Sequence, residues 1–224
     1  MAYSADGSKF VSKTETGDVR AWNALTRRQL PVPSWRLENP GAQTDLAVNN
    51  DGVLATPSGN SVALWDLNKN RPLDWQPPDG QPISKPGPFA FKYVAVSDTG
   101  LLAVAYGVTQ AAADDATRTT LDVWDIAQRR RVGARLTFRG APHGVAFSPD
   151  GAHIALTLMP STTSLAVQLV DAATATAGPF LAAHHGTFYQ ALLPFGPRPC
   201  SRPTTHRSAP SRRGVRNSAR MASP

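Results

Sequence analysis

Cysteine is almost absent from the chain, whose 224 residues contain only Cys200. A single cysteine excludes an internal disulfide framework and is typical of a protein from a reducing compartment. Long apolar runs are missing too, since stretches such as LLAVAY fall far short of the about 20 residues that cross a bilayer. The N-terminus, MAYSADGSKF, has neither a basic start nor an apolar segment, and no Asn-x-Ser/Thr acceptor occurs. These absences predict a cytoplasmic protein with no membrane association.

Acidic residues are missing from the last part of the chain. Residues 196–224 contain seven arginines and no aspartate or glutamate, whereas 1–195 contain 16 basic and 16 acidic residues. The net charge of +7 therefore belongs to this segment. No aromatic residue separates its arginines, so nucleic-acid binding is not expected. Its Arg, Pro and Ser content predicts a disordered basic tail.

What the rest of the chain does contain is a repeated hairpin. The phrases YSADGSKFVS, VNNDGVLAT, VSDTGLLAV and FSPDGAHIAL share a glycine, and these glycines fall 45, 48 and 51 residues apart. A pair such as Asp-Gly favours a tight turn, because glycine accepts a positive φ without a steric clash. Apolar or alternating runs flank each turn, so each phrase predicts two antiparallel strands.

Each repeat continues with a third apolar run and a fourth. The third runs are DVRAWN, SVALWDL, LDVWDI and AVQLVDA, and their aligned positions are Trp22, Trp65, Trp124 and Val170. Recurrence at one register favours packing between repeats over exposure at an interface. Four short strands in about 45 to 50 residues are typical of one blade of a β-propeller.

The combination of FSPDG with LDVWDI or SVALWDL resembles the WD-repeat family, over roughly residues 2–195. One departure is clear, because the aspartate that such repeats often place about six residues before the tryptophan is replaced by Thr16, Gly59 and Arg118. The repeats are thus degenerate. The resemblance implies an all-β propeller that acts by protein–protein contact, as a scaffold or sensor, and implies no cofactor or metal.

The predicted architecture is a partial β-propeller of four four-stranded antiparallel blades plus the start of a fifth. Its units cover approximately 2–37, 44–77, 93–138, 144–182 and, in part, 183–195, and the tail covers 196–224. Because Met1 falls inside a first strand and the fifth unit stops early, we expect a fragment of a larger propeller. The abrupt start of the tail is explained either by a shifted reading frame or by a natural disordered segment. Open blade edges would favour self-association.

The residues that could be catalytic are better explained by structural roles. Ser148 lies in a predicted hairpin, and no GxSxG motif accompanies it. The adjacent His184 and His185 would point to opposite faces of a strand, which does not suit a metal site. Cys200 has no histidine constellation around it. The sequence therefore predicts a protein that is not an enzyme, with no catalytic, cofactor or metal residues.

The functional prediction is a non-catalytic protein–protein interaction scaffold or sensor with an unidentified protein partner. Alternatives are a non-functional truncated fragment of a larger propeller, or the propeller part of a hydrolase. Loops tolerate variation without harming a core, so the longer ones are expected to supply the partner contacts. Their candidate contact residues form a mixed-charge rim: Lys92, Asp114, Asp115, Arg118, Arg139 and His143.

Overall fold

The described part of the protein consists of sixteen β-strands in four sheets. A computed structural model describes residues 1–14, 16–32, 45–58, 61–76, 91–108, 118–161 and 164–185. Within these ranges there is no helix, and so none able to cross a lipid bilayer. The sheets are antiparallel, contain four strands each in sequence order, and follow one another around a common axis as the blades of a propeller do. The prediction of an all-β propeller of four-stranded blades is confirmed.

The strands of the four blades are as follows. Blade 1 contains β1 (Ala2–Tyr3), β2 (Lys9–Lys13), β3 (Val19–Asn23) and β4 (Gln29–Leu30). Blade 2 contains β5 (Ala47–Val48), β6 (Val53–Ser58), β7 (Ser61–Asp66) and β8 (Arg71–Leu73). Blade 3 contains β9 (Phe91–Val96), β10 (Leu101–Val108), β11 (Arg118–Asp125) and β12 (Arg130–Arg139). Blade 4 contains β13 (Ala141–Phe147), β14 (His153–Ser161), β15 (Ser164–Asp171) and β16 (Thr176–His185).

The repeated glycines all lie in the turn between the first and second strands of a blade. They have φ angles between 70° and 82°, in the region that side chains other than glycine's rarely adopt. Hydrogen bonds also join neighbouring turns. The amide of Asp6 donates to Asn50 Oδ1 at 2.8 Å, and the amide of Asn50 donates to Asp98 Oδ1 at 2.7 Å. The turns thus link blade 1 to blade 2 and blade 2 to blade 3.

A second repeated turn joins the third and fourth strands. The Asp66 carboxylate accepts hydrogen bonds from the amides of Asn68 and Lys69, and Asp125 and Asp171 accept equivalent bonds in blades 3 and 4. The aspartate of each Trp-Asp-like pair therefore stabilises the turn that follows it. All four turns end on a non-glycine residue of positive φ, namely Arg27, Asn70, Arg129 and Ala175.

Three apolar clusters fill the junctions between consecutive blades. One joins blades 1 and 2, the second joins blades 2 and 3, and the third joins blades 3 and 4. Two of the three aligned tryptophans belong here, since Trp65 and Trp124 are buried in the first and second clusters, whereas Trp22 belongs to none of the three. Blades are therefore stabilised by their neighbours, as in other repeat architectures.

The end of blade 4 differs slightly from the predicted boundary. Strand β16 runs to His185, so residues 183–185 form part of the fourth blade's outermost strand. The remainder of the predicted fifth unit and the basic tail, including Cys200, lie outside the described residues.

Candidate interaction surface

The array of four blades has two different ends. The glycine turns and the Trp-Asp turns lie at one end, which we call the hairpin end. At the other end the first strand of each blade begins and the second strand connects to the third, and we call this the loop end. The antiparallel order of every blade fixes this division.

Four of the predicted contact residues belong to the loop end of blades 3 and 4. Lys92 lies near the start of β9, Arg118 at the start of β11, Arg139 at the end of β12, and His143 near the start of β13. The fold thus brings to one end residues that are up to 51 positions apart in sequence. The other two, Asp114 and Asp115, lie outside the described residues.

Arg118 and Arg139 form a like-charged pair across two strands. They are direct partners in the β11–β12 ladder, and both side chains are exposed. Among the described residues neither arginine takes part in an ion pair. Like charges that face each other across a ladder destabilise it, so the sheet gains nothing from this arrangement.

His143 occupies an irregular position in the innermost strand of blade 4. The pairing of β13 with β14 shifts register between Pro142 and Gly144, which places His143 at the bulge. The residue is half-buried, and its Nε2 is buried without a hydrogen-bond partner in the described part of the chain. Bulges often redirect a side chain next to functional sites.

A cavity of about 160 Å³ runs along the axis, between the innermost strands of all four blades. Its wall is mostly apolar, and Val48, Val96 and Phe147 are among the residues that line it, from three blades. Asn49, Ser97 and Ser148 add polar groups towards the hairpin end. The volume suits a few water molecules or one small side chain.

Asp45 lines this cavity and precedes β5, at the loop end. Its carboxylate accepts a hydrogen bond from the amide of Leu46 at 2.8 Å and another from the amide of Val94. Burial nevertheless raises the pKa of Asp45 to about 6. Burial also lowers the pKa of the neighbouring Lys13, whose Nζ is buried without a hydrogen-bond partner among the described residues. Burial, together with the charge of Asp45, raises the pKa of Tyr93.

Lys13, Asp45 and Tyr93 form a cluster that was not predicted from the sequence. Asp45 and Tyr93 are 48 residues apart and occupy the same register, as the phrases DLAVN and YVAVS show. Aligning the blades would therefore have placed these two side chains next to each other around the axis. Lys13 ends the second strand of blade 1, and no sequence signal marks it.

Replacing Asp45 with asparagine should remove a pH-dependent loss of stability. Because its folded-state pKa lies above the unfolded value of 3.8, its stabilising contribution is complete below about pH 4 and is lost as the pH rises through 6. We expect Asp45→Asn to raise the free energy of unfolding at pH 7.5 by about 1–3 kcal/mol relative to the wild type. The gain should vanish below pH 4 in urea unfolding curves. The exposed Asp74→Asn variant should change stability by less than about 0.5 kcal/mol throughout, and a similar gain there would contradict the assignment to Asp45.

A second charged cluster lies within blade 3. The Asp122 side chain is fully buried, and Arg135 donates to both of its oxygens, from Nε at 3.0 and 3.1 Å and from Nη2 at 2.8 Å. Arg131 lies 3.8 Å away, and the Tyr106 hydroxyl donates at 3.3 Å. Burial, and then the charge of Asp122, raises the pKa of Tyr106 to about 12. This closed network holds three strands together.

Ser148 has a structural role in its hairpin. Its hydroxyl donates to Asp150 Oδ1 and accepts a hydrogen bond from the backbone amide of His153 at 2.9 Å. The equivalent Ser4 makes the same pair of contacts with Asp6 and the amide of Lys9. Across the described ranges, no group of three or more His, Cys, Asp or Glu side chains is placed to hold a metal ion.

No protein-family model matches the chain, and no curated protein matches it significantly. The structure supplies the four-bladed propeller arrangement, and the WD-repeat resemblance rests on the repeated motifs themselves.

Proposed function

We propose that the chain is a non-catalytic protein-interaction module, built from degenerate repeats of WD type. In this proposal the partner contacts the loop end of blades 3 and 4, where Lys92, Arg118, Arg139 and His143 lie in the fold. The partner presents carboxylate groups to this surface. The rigid blades hold the strand ends in fixed positions, which limits the entropy lost on binding.

The observation that carries the proposal is the pair of arginines at the loop end. Arg118 and Arg139 are exposed and face each other in the ladder. No described carboxylate pairs with either residue, although Asp122 in the same sheet is fully buried against two other arginines. Two adjacent guanidinium groups on a rigid edge suit a carboxylate, which arginine binds through two parallel hydrogen bonds. An acidic partner would also relieve their mutual repulsion.

Charge reversal at the loop end tests this proposal. The full chain, carrying an affinity tag, captures proteins from extract of its source cells, and cross-linking followed by mass spectrometry locates the contacts. We expect Arg118→Glu/Arg139→Glu to reduce capture of the principal partner at least tenfold, because attraction becomes repulsion. Raising the salt concentration should weaken capture by the wild type.

The matched control reverses two exposed arginines at the hairpin end, in the variant Arg27→Glu/Arg28→Glu. It changes the net charge equally and should retain the partner. Equal loss of capture in both variants would show a non-specific charge effect and would overturn the proposed surface. Unchanged capture by the loop-end variant would do the same.

A further inference from the structure

Each blade has two faces that differ in composition. The leading face bears the aligned tryptophan position, and strand pairing groups Val48, Leu54 and Trp65 on it in blade 2. The opposite, trailing face of blade 1 bears Val11 and Ala21. In every filled junction, the leading face of one blade packs on the trailing face of the blade before it.

On the three covered leading faces, the equivalent residues of the second strand are completely buried. Leu54, Leu102 and Ile154 occupy the same position of the second strand in blades 2, 3 and 4, and each is 0% exposed. They share one kind of environment, the apolar trailing face of the blade before, which consists largely of alanine, valine and leucine side chains together with Tyr93 and Trp75.

The leading face of blade 1 has the same pattern but a different environment. Its equivalent residues are Tyr3, Phe10 and Trp22, which are paired across three strands. The ring centroids of Tyr3 and Phe10 lie 4.8 Å apart, and those of Phe10 and Trp22 lie 5.3 Å apart. Tyr3 remains 49% exposed, and the other two are only half-buried. In the described part of the chain, no apolar cluster covers this aromatic face.

The trailing face of blade 4, at the other end of the array, is also not covered by an apolar cluster of the described residues. Along β15, Ala166, Gln168 and Val170 of the leading face are buried. The alternate residues Leu165, Val167 and Leu169 are only half-buried, and Leu181, paired with Val167, is 46% exposed. This is the kind of surface on which the other three leading faces pack.

We infer that these two faces bind a second copy of this chain, head to tail, so that two four-bladed units close one eight-bladed ring. The aromatic face of blade 1 packs on the trailing face of blade 4 of the other copy, and the reverse contact forms at the same time. A head-to-tail contact that closes after two copies leaves no free face for further growth. Eight blades also lie within the range that propellers adopt. This inference is independent of the arginine pair at the loop end.

The surface available is sufficient for a stable pair. An aromatic side chain can bury roughly 150–250 Å² of surface. A closed pair covers two aromatic faces and two trailing faces. Even with part of each side chain already buried, the total reaches about 1,000 Å², the minimum for a specific interface. Closure forms both junctions in one association event, so the second adds affinity without a further loss of translational freedom.

Sedimentation velocity of the full chain between about 1 and 100 µM tests this inference. We expect the wild type to form dimers, and Tyr3→Glu or Leu181→Glu to raise the dimer dissociation constant at least tenfold, because either places a charge in an apolar junction. Leu25→Glu is the control, since Leu25 is 81% exposed at the hairpin end and should leave the dimer intact. Circular dichroism establishes that each variant is folded.

Mixing the two variants separates the proposed arrangement from other dimers. A mixed pair retains one unaltered junction, formed by the blade 1 face of the Leu181→Glu copy and the blade 4 face of the Tyr3→Glu copy. The mixture should therefore dimerise more tightly than either variant alone. A monomeric wild type, growth to larger polymers, insensitivity to Leu181→Glu, or no recovery on mixing would each overturn the inference.

Discussion

Replacing Gly133 with alanine is expected to lower the free energy of unfolding by about 2–5 kcal/mol. Gly133 lies in β12 with a φ of 60°, and an added Cβ would sit 2.1 Å from the Thr174 carbonyl oxygen and 3.0 Å from the Ala175 Cβ. The left-handed conformation alone costs a non-glycine residue about 1–2 kcal/mol. The clash adds an overpacking cost of about 1–3 kcal/mol, because its nearest atom belongs to the backbone of the next blade. Urea unfolding followed by tryptophan fluorescence measures the loss.

Gly7→Ala separates the two contributions. Gly7 has a similar φ of 70°, but no atom of the described residues lies within 4 Å of its would-be Cβ. This variant should therefore lose only the conformational contribution, about 1–2 kcal/mol. Equal losses in the two variants would contradict a close contact between blades 3 and 4 at Gly133. A loss confined to one unfolding transition would instead show that blade 4 unfolds separately from the others.

The architecture was predictable because it depends on local sequence that repeats. Glycine turns require a particular residue at a particular place, so the four phrases marked four hairpins correctly. The aligned positions of Trp22, Trp65, Trp124 and Val170 likewise lie at one register of the third strand. Each of these features follows from contacts within one hairpin or between adjacent repeats.

The turns between third and fourth strands show where sequence reasoning fails. Arg27, Arg129 and Ala175 adopt positive φ angles without being glycine or asparagine. Nothing in these residue types indicates a left-handed conformation, which the preceding aspartate or asparagine and the flanking strands impose. Tertiary context thus overrides the local preference.

The charged clusters could not be predicted from the sequence, because they too depend on tertiary contacts. Asp122 interrupts an apolar third strand, and only the fold places Arg135 and Tyr106 against it. The loop-end residues Arg118, Arg139 and His143 were identified from loop length and charge, and their role in binding stays a prediction. The predicted contacts at Asp114 and Asp115 lie outside the described residues.

Removing Arg135 should destabilise the protein more than removing its partner, Asp122. Arg135→Leu leaves a fully buried carboxylate with only the Tyr106 hydroxyl, at 3.3 Å, and the more distant Arg131, at 3.8 Å, among the described residues, so we expect a loss of about 2–4 kcal/mol. Asp122→Leu leaves two arginines that are already 39% and 43% exposed and can reach water, so its loss should be about 1–2 kcal/mol. Both losses are measured as free energies of unfolding in urea at constant pH and salt.

The double variant Asp122→Leu/Arg135→Leu completes the cycle. Because it removes the buried charge together with its partner, it should recover at least half of the loss seen in Arg135→Leu, which corresponds to a favourable coupling of at least about 2 kcal/mol. Arg139→Leu is the control in the same strand, since Arg139 is exposed and has no ion pair among the described residues. It should change stability by less than about 0.5 kcal/mol. Additive losses in the cycle would mean that the contact contributes nothing beyond the separate side chains, and that blade 3 depends on its apolar clusters alone.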